Sequence, residues 1–366
     1  MLHVMASLER SGMEQMLLSS GAAWRRAGYA CDVVATANSE GPVAQQIRDC
    51  GYGVFHLPFR SRLRWLPRAR FLRDFYALCA SGYDVVHIQV EAGRPLFALL
   101  ARLAGVRRLA VTPHNTFRFE GALRVRKMLE RHFIRMLGGR FGMISEGVEA
   151  CERERFGIRG KRIWNWIDTE HFRPPSTEER ARARCELGLA DEEFAVVSVA
   201  NCNRAKNHTA LLQAIALLQQ SDRPIYLHVG REEAGRPEHA LSEKLGLGSR
   251  VHFLGSQADT RKYFWAADAV AMPSLNEGLA ISALEATACG APLVCSKVDG
   301  LLEIAAQTKA AVLTSTDAES IADGMLKMRA LGSELRRQQA LRDSIRIREQ
   351  FSLDRGVNSI VDALYA

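Results

Sequence analysis

Between residues 269 and 295 the chain runs through a pattern that few folds accept. Ala269-Val-Ala-Met272 is a short, wholly apolar run, as expected of a strand buried in a parallel sheet. Pro273 and the polar stretch Ser274-Leu275-Asn276-Glu277-Gly278 end it in a loop. Leu279 to Cys289 carries no helix breaker and is rich in Ala and Leu, which predicts a helix. Gly290-Ala-Pro292 stops that helix and Leu293-Val-Cys295 begins the next strand.

A strand, a glycine-containing loop and a helix leave unpaired backbone N–H groups at the mouth of a crevice, where phosphates bind. Two carboxylates frame that mouth: Glu277 in the loop and Glu285 about two turns into the helix. A carboxylate beside a phosphate is repulsive, so both are better suited to accept hydrogen bonds from hydroxyls. A sugar and a ribose flanking a diphosphate would supply them.

The full string is P-S-x-x-E-G-x6-E-A-x-x-x-G-x-P, with an E-x7-E spacing at its heart. It resembles the signature of the retaining glycosyltransferases of family 4. That resemblance implies an α/β chain of the GT-B fold, two doubly wound Rossmann-like domains facing across a cleft. It implies Glu277 on the donor sugar, Glu285 on the ribose, and the amides near Gly278, Leu279 and Ala280 on the diphosphate. A bare E-x7-E means little; in this strand-loop-helix-strand setting it is specific. The bland reading of Glu285 is a helix surface acid.

A length of 366 residues exceeds one ordinary core and points to two domains. The expected division is 1–172, an acceptor-side domain; 173–350, a nucleotide-sugar domain; and 351–366, a helix returning to the first. No apolar run is long enough to span a bilayer. The chain enters a strand at Leu2-His-Val-Met-Ala6 without the basic flank and apolar run of a secretion signal. Eight scattered cysteines with no C-x-x-C pair favour free thiols over disulfides or a zinc site. No D-x-D occurs, so no metal is expected on the diphosphate, and cationic side chains and helix N-termini must neutralise it.

Along the first half, strands alternate with helices in the order of a doubly wound sheet. By resemblance, Gly12 occupies the glycine loop that faces the acceptor; a lone glycine is otherwise only a turn. His114 lies just past a strand's carboxyl end, where the resemblance implies contact with the donor sugar. Lys161 to Phe172 resembles the N-G-[IV]-D…F segment between the domains, with Trp166 where the pattern has glycine, so a tight backbone approach is not expected there.

In the second half, Phe194 to Val199 reads as a strand, and the loop after it carries Arg204 and Lys206 ahead of a helix from Thr209. Both cations are placed to grip a diphosphate. Lys206 fits the family's G-R-x4-K-[NG] pattern, whereas Asn201 stands where that pattern has arginine. Gly230 and Leu254 end strands that resemble those touching the nucleotide base.

Net charge is +8 and unevenly placed: residues 1–170 hold 26 Lys and Arg against 16 Asp and Glu, the remainder 23 against 25. Phe59 to Arg73 contains six arginines and no acid, interleaved with Phe, Leu and Trp. Arg62, Arg64, Trp65, Arg68 and Arg70 are therefore candidates for contact with an anionic membrane. A basic helix from Arg124 to Arg140 would extend the patch; solvated helix faces are the plainer alternative. No nucleic-acid-binding pattern accompanies the charge.

The expectation is a retaining, metal-independent hexosyltransferase. It would move a sugar from a nucleotide-diphosphate sugar, such as a UDP- or GDP-sugar, to a saccharide or polyprenyl-diphosphate-linked acceptor. Its setting would be bacterial surface polysaccharide or glycolipid synthesis, in the cytoplasm and peripheral on the inner face of the plasma membrane. The alternatives are a same-fold sugar-nucleotide epimerase or phosphorylase, a glycosidase carboxylate pair, and a non-catalytic partner that binds a nucleotide sugar or membrane.

Overall fold

The computed structural model describes residues 1–59 and 66–366, in two compact units. Unit 1 comprises Met1–Asp168 with Leu353–Ala366, and unit 2 comprises Thr169–Ser352.

In unit 1 the strands are β1 (Leu2–Met5), β2 (Asp32–Ala35), β3 (Gly53–His56), β4 (Val85–Ile88), β5 (Arg108–Val111), β6 (Gly139–Met143) and β7 (Lys161–Arg162). Between them run α1 (Gly12–Arg26), α2 (Ala44–Asp49), α3 (Leu66–Ala80), α4 (Arg94–Leu103), α5 (Gly121–Met136) and α6 (Glu146–Phe156). The sheet order is β3-β2-β1-β4-β5-β6-β7, with every pairing parallel. The strand order reverses between β1 and β4, so the crevice of this sheet opens at their carboxyl ends.

Unit 2 repeats the plan with β8 (Ala195–Val199), β9 (Ile225–Val229), β10 (Val251–Phe253), β11 (Ala269–Met272), β12 (Leu293–Ser296) and β13 (Val312–Thr314). Its helices are α7 (Thr177–Glu186), α8 (His208–Leu217), α9 (Pro237–Lys244), α10 (Arg261–Ala266), α11 (Ile281–Ala288), α12 (Asp299–Ala305), α13 (Ala318–Ala330) and α14 (Ser333–Gln350). The order β10-β9-β8-β11-β12-β13 is again wholly parallel and reverses between β8 and β11. A core of Val196, Leu211, Ile215, Tyr226, Val294, Ile321 and Met325 fills the space between sheet and helices.

Some elements differ from the sequence reading. Gly138, at φ 76, ends α5 early, so Arg140 sits on β6 rather than on a basic helix.

The last helix, α15 (Leu353–Ile360), continues as a π-helical turn over Val361–Tyr365 and packs in unit 1. Trp166 explains how closely it does so. The indole is 3% exposed, donates from Nε1 to the Met16 carbonyl at 3.0 Å, and meets Trp24 edge-on at 5.9 Å. A Cβ on Gly356 would lie 2.5 Å from that indole, so α15 is seated by a glycine against a tryptophan. The tight approach excluded at position 166 is supplied from the other side.

Truncating Trp166 to Ala is expected to cost about 3–5 kcal/mol of unfolding free energy through the cavity left behind. Gly356→Ala should also lower stability, by forcing the helix off the ring. Urea denaturation checks both, and unchanged midpoints would contradict this packing.

Candidate active site in the second unit

The carboxyl ends of β8 and β11 lie side by side at the reversal point of unit 2. The loop after β8 makes a 3-10 turn over Arg204–Lys206, held by the Asn203 side chain accepting from the Lys206 amide at 3.2 Å. Asn207 then takes a left-handed conformation, φ 57, which Asn tolerates better than most residues. From there its Nδ2 donates to the carbonyls of Pro273 (3.1 Å) and Thr316 (2.9 Å). The Leu275 amide donates to the Ala205 carbonyl at 2.7 Å, so the two loops form one body.

This arrangement brings two predicted residues into direct contact. Lys206 Nζ lies 2.5 Å from Glu277 Oε1, and Ser274 Oγ donates to the same oxygen at 2.7 Å. The Lys206 side chain is 25% exposed and that of Glu277 9%, so one face of the pair remains open to a ligand. Behind it, a Cβ on Gly300 would fall 2.4 Å from the Gly278 carbonyl, so only glycine lets α12 close on this loop. No side chain caps α11, whose first turn is left to the backbone and the helix dipole.

Glu285 points from α11 into a buried environment, 7% exposed, with no side-chain hydrogen bond or ion pair among the described residues. Burial alone pushes its carboxyl up to about 8, so it is a protonated acid at neutral pH. A buried, unpartnered carboxyl beside a phosphate-type loop is a functional-site feature.

The family comparisons agree with this geometry. Residues 11–200 match the glycosyl transferase 4-like domain, and residues 179–342 match the glycosyl transferases group 1 family. The chain belongs to these glycosyltransferases. It is 27% identical over 349 residues to EpsF of Bacillus subtilis, which carries a glycosyltransferase name, spanning 88% of this chain and 86% of that one. The solved structure of HepE from Anabaena in complex with UDP and glucose superposes with a TM-score of 0.83 at 19% identity, covering 99% of this chain and 98% of that one. WaaG, a glycosyltransferase involved in lipopolysaccharide biosynthesis, gives 0.77 at 16% identity, with 99% of each chain covered. These likenesses show the GT-B fold.

Other candidates in this glycosyltransferase stand apart from the Lys206–Glu277 pair. Arg204 is exposed and makes no ion pair among the described residues. Asn201 is turned to structure: its Oδ1 accepts from the Arg231 amide at 2.9 Å. Gly230 is required by packing, since a Cβ there would lie 2.0 Å from the Ala200 carbonyl. The Leu254 amide donates to the His228 carbonyl at 2.9 Å, continuing the β9–β10 ladder. Sequence reasoning missed Ser274 and Asn207, although both sit inside the quoted motifs.

In unit 1, His114 Nε2 lies 3.1 Å from Gln89 Oε1, and Gln89 Nε2 lies 2.7 Å from His3 Nδ1. Burial, with Arg94 nearby, lowers the His114 pKa to about 3, so this imidazole is neutral and works as a hydrogen-bonding group. A small cavity is lined by His3, Met16, His87, Gln89, His114 and Trp166. Gly12 opens α1, and the Ser11 hydroxyl donates to Glu14 in the same turn. Glu14, which the sequence reading passed over, is 3% exposed, and burial raises it to about 7.

The basic segments separate into two kinds. Arg62, Arg64 and Trp65 lie outside the described residues; Arg68 and Arg70 lie on α3, and the exposed Arg70 side chain is 3.4 Å from Asp74. On α5, Lys127 and Arg131 point inward rather than joining a surface patch. Arg131 pairs with Glu152 at 2.7 Å, both 1% exposed, and Lys127 pairs with Glu130 and Glu91. Arg124, Arg126 and Arg135 remain on the outer face with exposed Val125, Leu129, Phe133 and Met136.

Glu285 makes a signed prediction. The folded protein holds its proton up to about pH 8, an ordinary Glu only to about 4.5, so the native state binds more protons between those values. Stability therefore falls as pH rises through that window. Glu285→Gln should be more stable than the parent at its upper end, by up to a few kcal/mol, and equal to it at the lower end. Denaturant titrations at both ends check this; a difference independent of pH would contradict it.

Proposed function

We propose that this protein is a retaining glycosyltransferase that takes a sugar from a nucleoside-diphosphate sugar. The observation that carries the reading is the Lys206–Glu277 contact at the reversal point of the second sheet, one group suited to phosphate and the other to hydroxyls. The UDP and glucose bound by HepE support a donor of this class. In this scheme Lys206 leaves Glu277 for the diphosphate, joined by Arg204 and by the amides near Gly278, Leu279 and Ala280. Glu277 then holds the sugar hydroxyls and faces the positive charge that develops at the anomeric carbon. Glu285, protonated in the free protein, meets the ribose hydroxyls. His114 offers a neutral imidazole to the sugar, and Gly12 lies on the acceptor side.

As the anomeric carbon–diphosphate bond breaks, the acceptor oxygen bonds that carbon on the same face. A diphosphate oxygen takes the acceptor's proton. No enzymic base is required, and cationic side chains with the α11 dipole neutralise the leaving group without a metal.

The first test is a panel of UDP-, GDP-, ADP- and TDP-sugars in the presence of EDTA, read by nucleotide release and thermal shift. One base should stabilise the protein and turn over, and Lys206→Ala should reduce turnover by about 10²–10³. A protein indifferent to every donor would contradict the proposal.

For the acceptor, we propose a saccharide or polyprenyl-diphosphate-linked saccharide of bacterial surface polysaccharide or glycolipid assembly, met at the inner face of the plasma membrane. Among the described residues no helix is long and apolar enough to cross a membrane. The outer face of α5 supports contact instead: Val125, Leu129, Phe133 and Met136 form an exposed apolar stripe at helical spacing, bordered by Arg126 on one side and by Arg124 and Arg135 on the other. Replacing Val125, Leu129 and Met136 with Ser should abolish sedimentation with phosphatidylglycerol vesicles while leaving the fold intact. Unchanged sedimentation would remove α5 from the account.

A further inference from the structure

Beneath the loop that carries Arg204 and Lys206 lies a cluster that the transfer reaction does not use. Cys202, His208 and His228 are 5%, 3% and 0% exposed, and one ligand atom from each lies within 4.8 Å of the others. Cys202 Sγ is 3.4 Å from His228 Nε2, and the two imidazoles meet edge-on with centroids 4.7 Å apart.

The hydrogen bonds of these groups are incomplete in a consistent way. His228 Nε2 lies 3.0 Å from the Ala200 carbonyl, while its Nδ1 is buried without a partner. His208 Nδ1 lies 3.3 Å from the Tyr226 hydroxyl, while its Nε2 is buried without a partner. A buried polar atom left unpaired is costly, so two such nitrogens in one cluster call for an occupant. A plain Cys–His hydrogen bond accounts for the 3.4 Å contact and for neither of them.

A metal-ligating histidine has this arrangement: one ring nitrogen fixed by a protein group, the other presenting its lone pair. Nitrogen and sulfur donors suit zinc. Bond lengths of about 2.0–2.3 Å put tetrahedral ligands about 3.3–3.8 Å apart, so the cluster needs only to close slightly. Three protein ligands leave the fourth tetrahedral position to a water, and the Cys202 thiolate would offset part of the double positive charge.

We propose that Cys202, His208 and His228 form a buried site for one zinc ion that fixes the loop bearing Arg204 and Lys206. Cys202 precedes and His208 follows those cations, so the ion anchors both ends of the loop to β9. Binding releases the Cys202 proton to solvent and changes no oxidation state. The site is separate from the donor diphosphate, and it stands whatever the chain transfers.

The test is elemental analysis of protein purified from zinc-supplemented medium, followed by replacement with Co²⁺. One zinc per chain is expected, with a thiolate-to-cobalt charge-transfer band and the intense visible bands of a tetrahedral ion. The charge-transfer band should vanish in Cys202→Ser and persist in Cys185→Ser, where the thiol is exposed. Protein without stoichiometric zinc that gives no thiolate band with Co²⁺ would overturn the proposal, and this readout needs no variant to fold. A bound ion indifferent to both Cys202→Ser and His208→Gln would overturn it equally, by placing the metal elsewhere.

Discussion

The contact between Lys206 and Glu277 joins the two loops from which the rest of the second unit's site is built. Each partner is largely withdrawn from water, and a charge so placed is costly when left alone. Pairing them offsets that cost in the ligand-free protein. Asn207, Ser274 and Gly300 brace the pair from three sides, through hydrogen bonds and through a backbone approach that a side chain would block.

Away from this pair, burial acts in the opposite direction and removes charge. Glu285 is raised to about 8 and Glu14 to about 7, while His114 is lowered to about 3. Neutral groups of this kind can exchange hydrogen bonds without adding charge. The two carboxyls also make a protein whose stability declines as the medium turns alkaline, because each must eventually ionise. The buried cations of α5, by contrast, are paired internally: Arg131 and Lys127 reach Glu152, Glu130 and Glu91.

Much of this was legible in the chain. The short apolar runs and intervening helices specify two parallel sheets, because a strand buried on both faces has no polar alternation to read. The motif around Glu277 and Glu285 located the carboxyl end of β11, and Lys206 was recognisable from its place between strand and helix. What the sequence hid depends on three-dimensional closure. Trp166 looked like an obstacle until Gly356 was seen against it, nearly two hundred residues later in the chain. Lys127 and Arg131 read as surface charge because their acidic partners lie on other elements. Cys202, His208 and His228 lack a recognisable ligand spacing because they come from a loop, a helix and a strand.

The account's central claim is that Lys206 and Glu277 exchange partners when the donor binds. Calorimetric titration of the cognate nucleoside diphosphate, without its sugar, into the parent, Lys206→Ala and Glu277→Gln tests this most directly. The account predicts that Lys206→Ala binds more weakly, whereas Glu277→Gln binds at least as tightly as the parent, since the ammonium is released from its carboxylate. Equal losses in the two variants would contradict it, because the pair would then be a structural unit that the ligand does not divide.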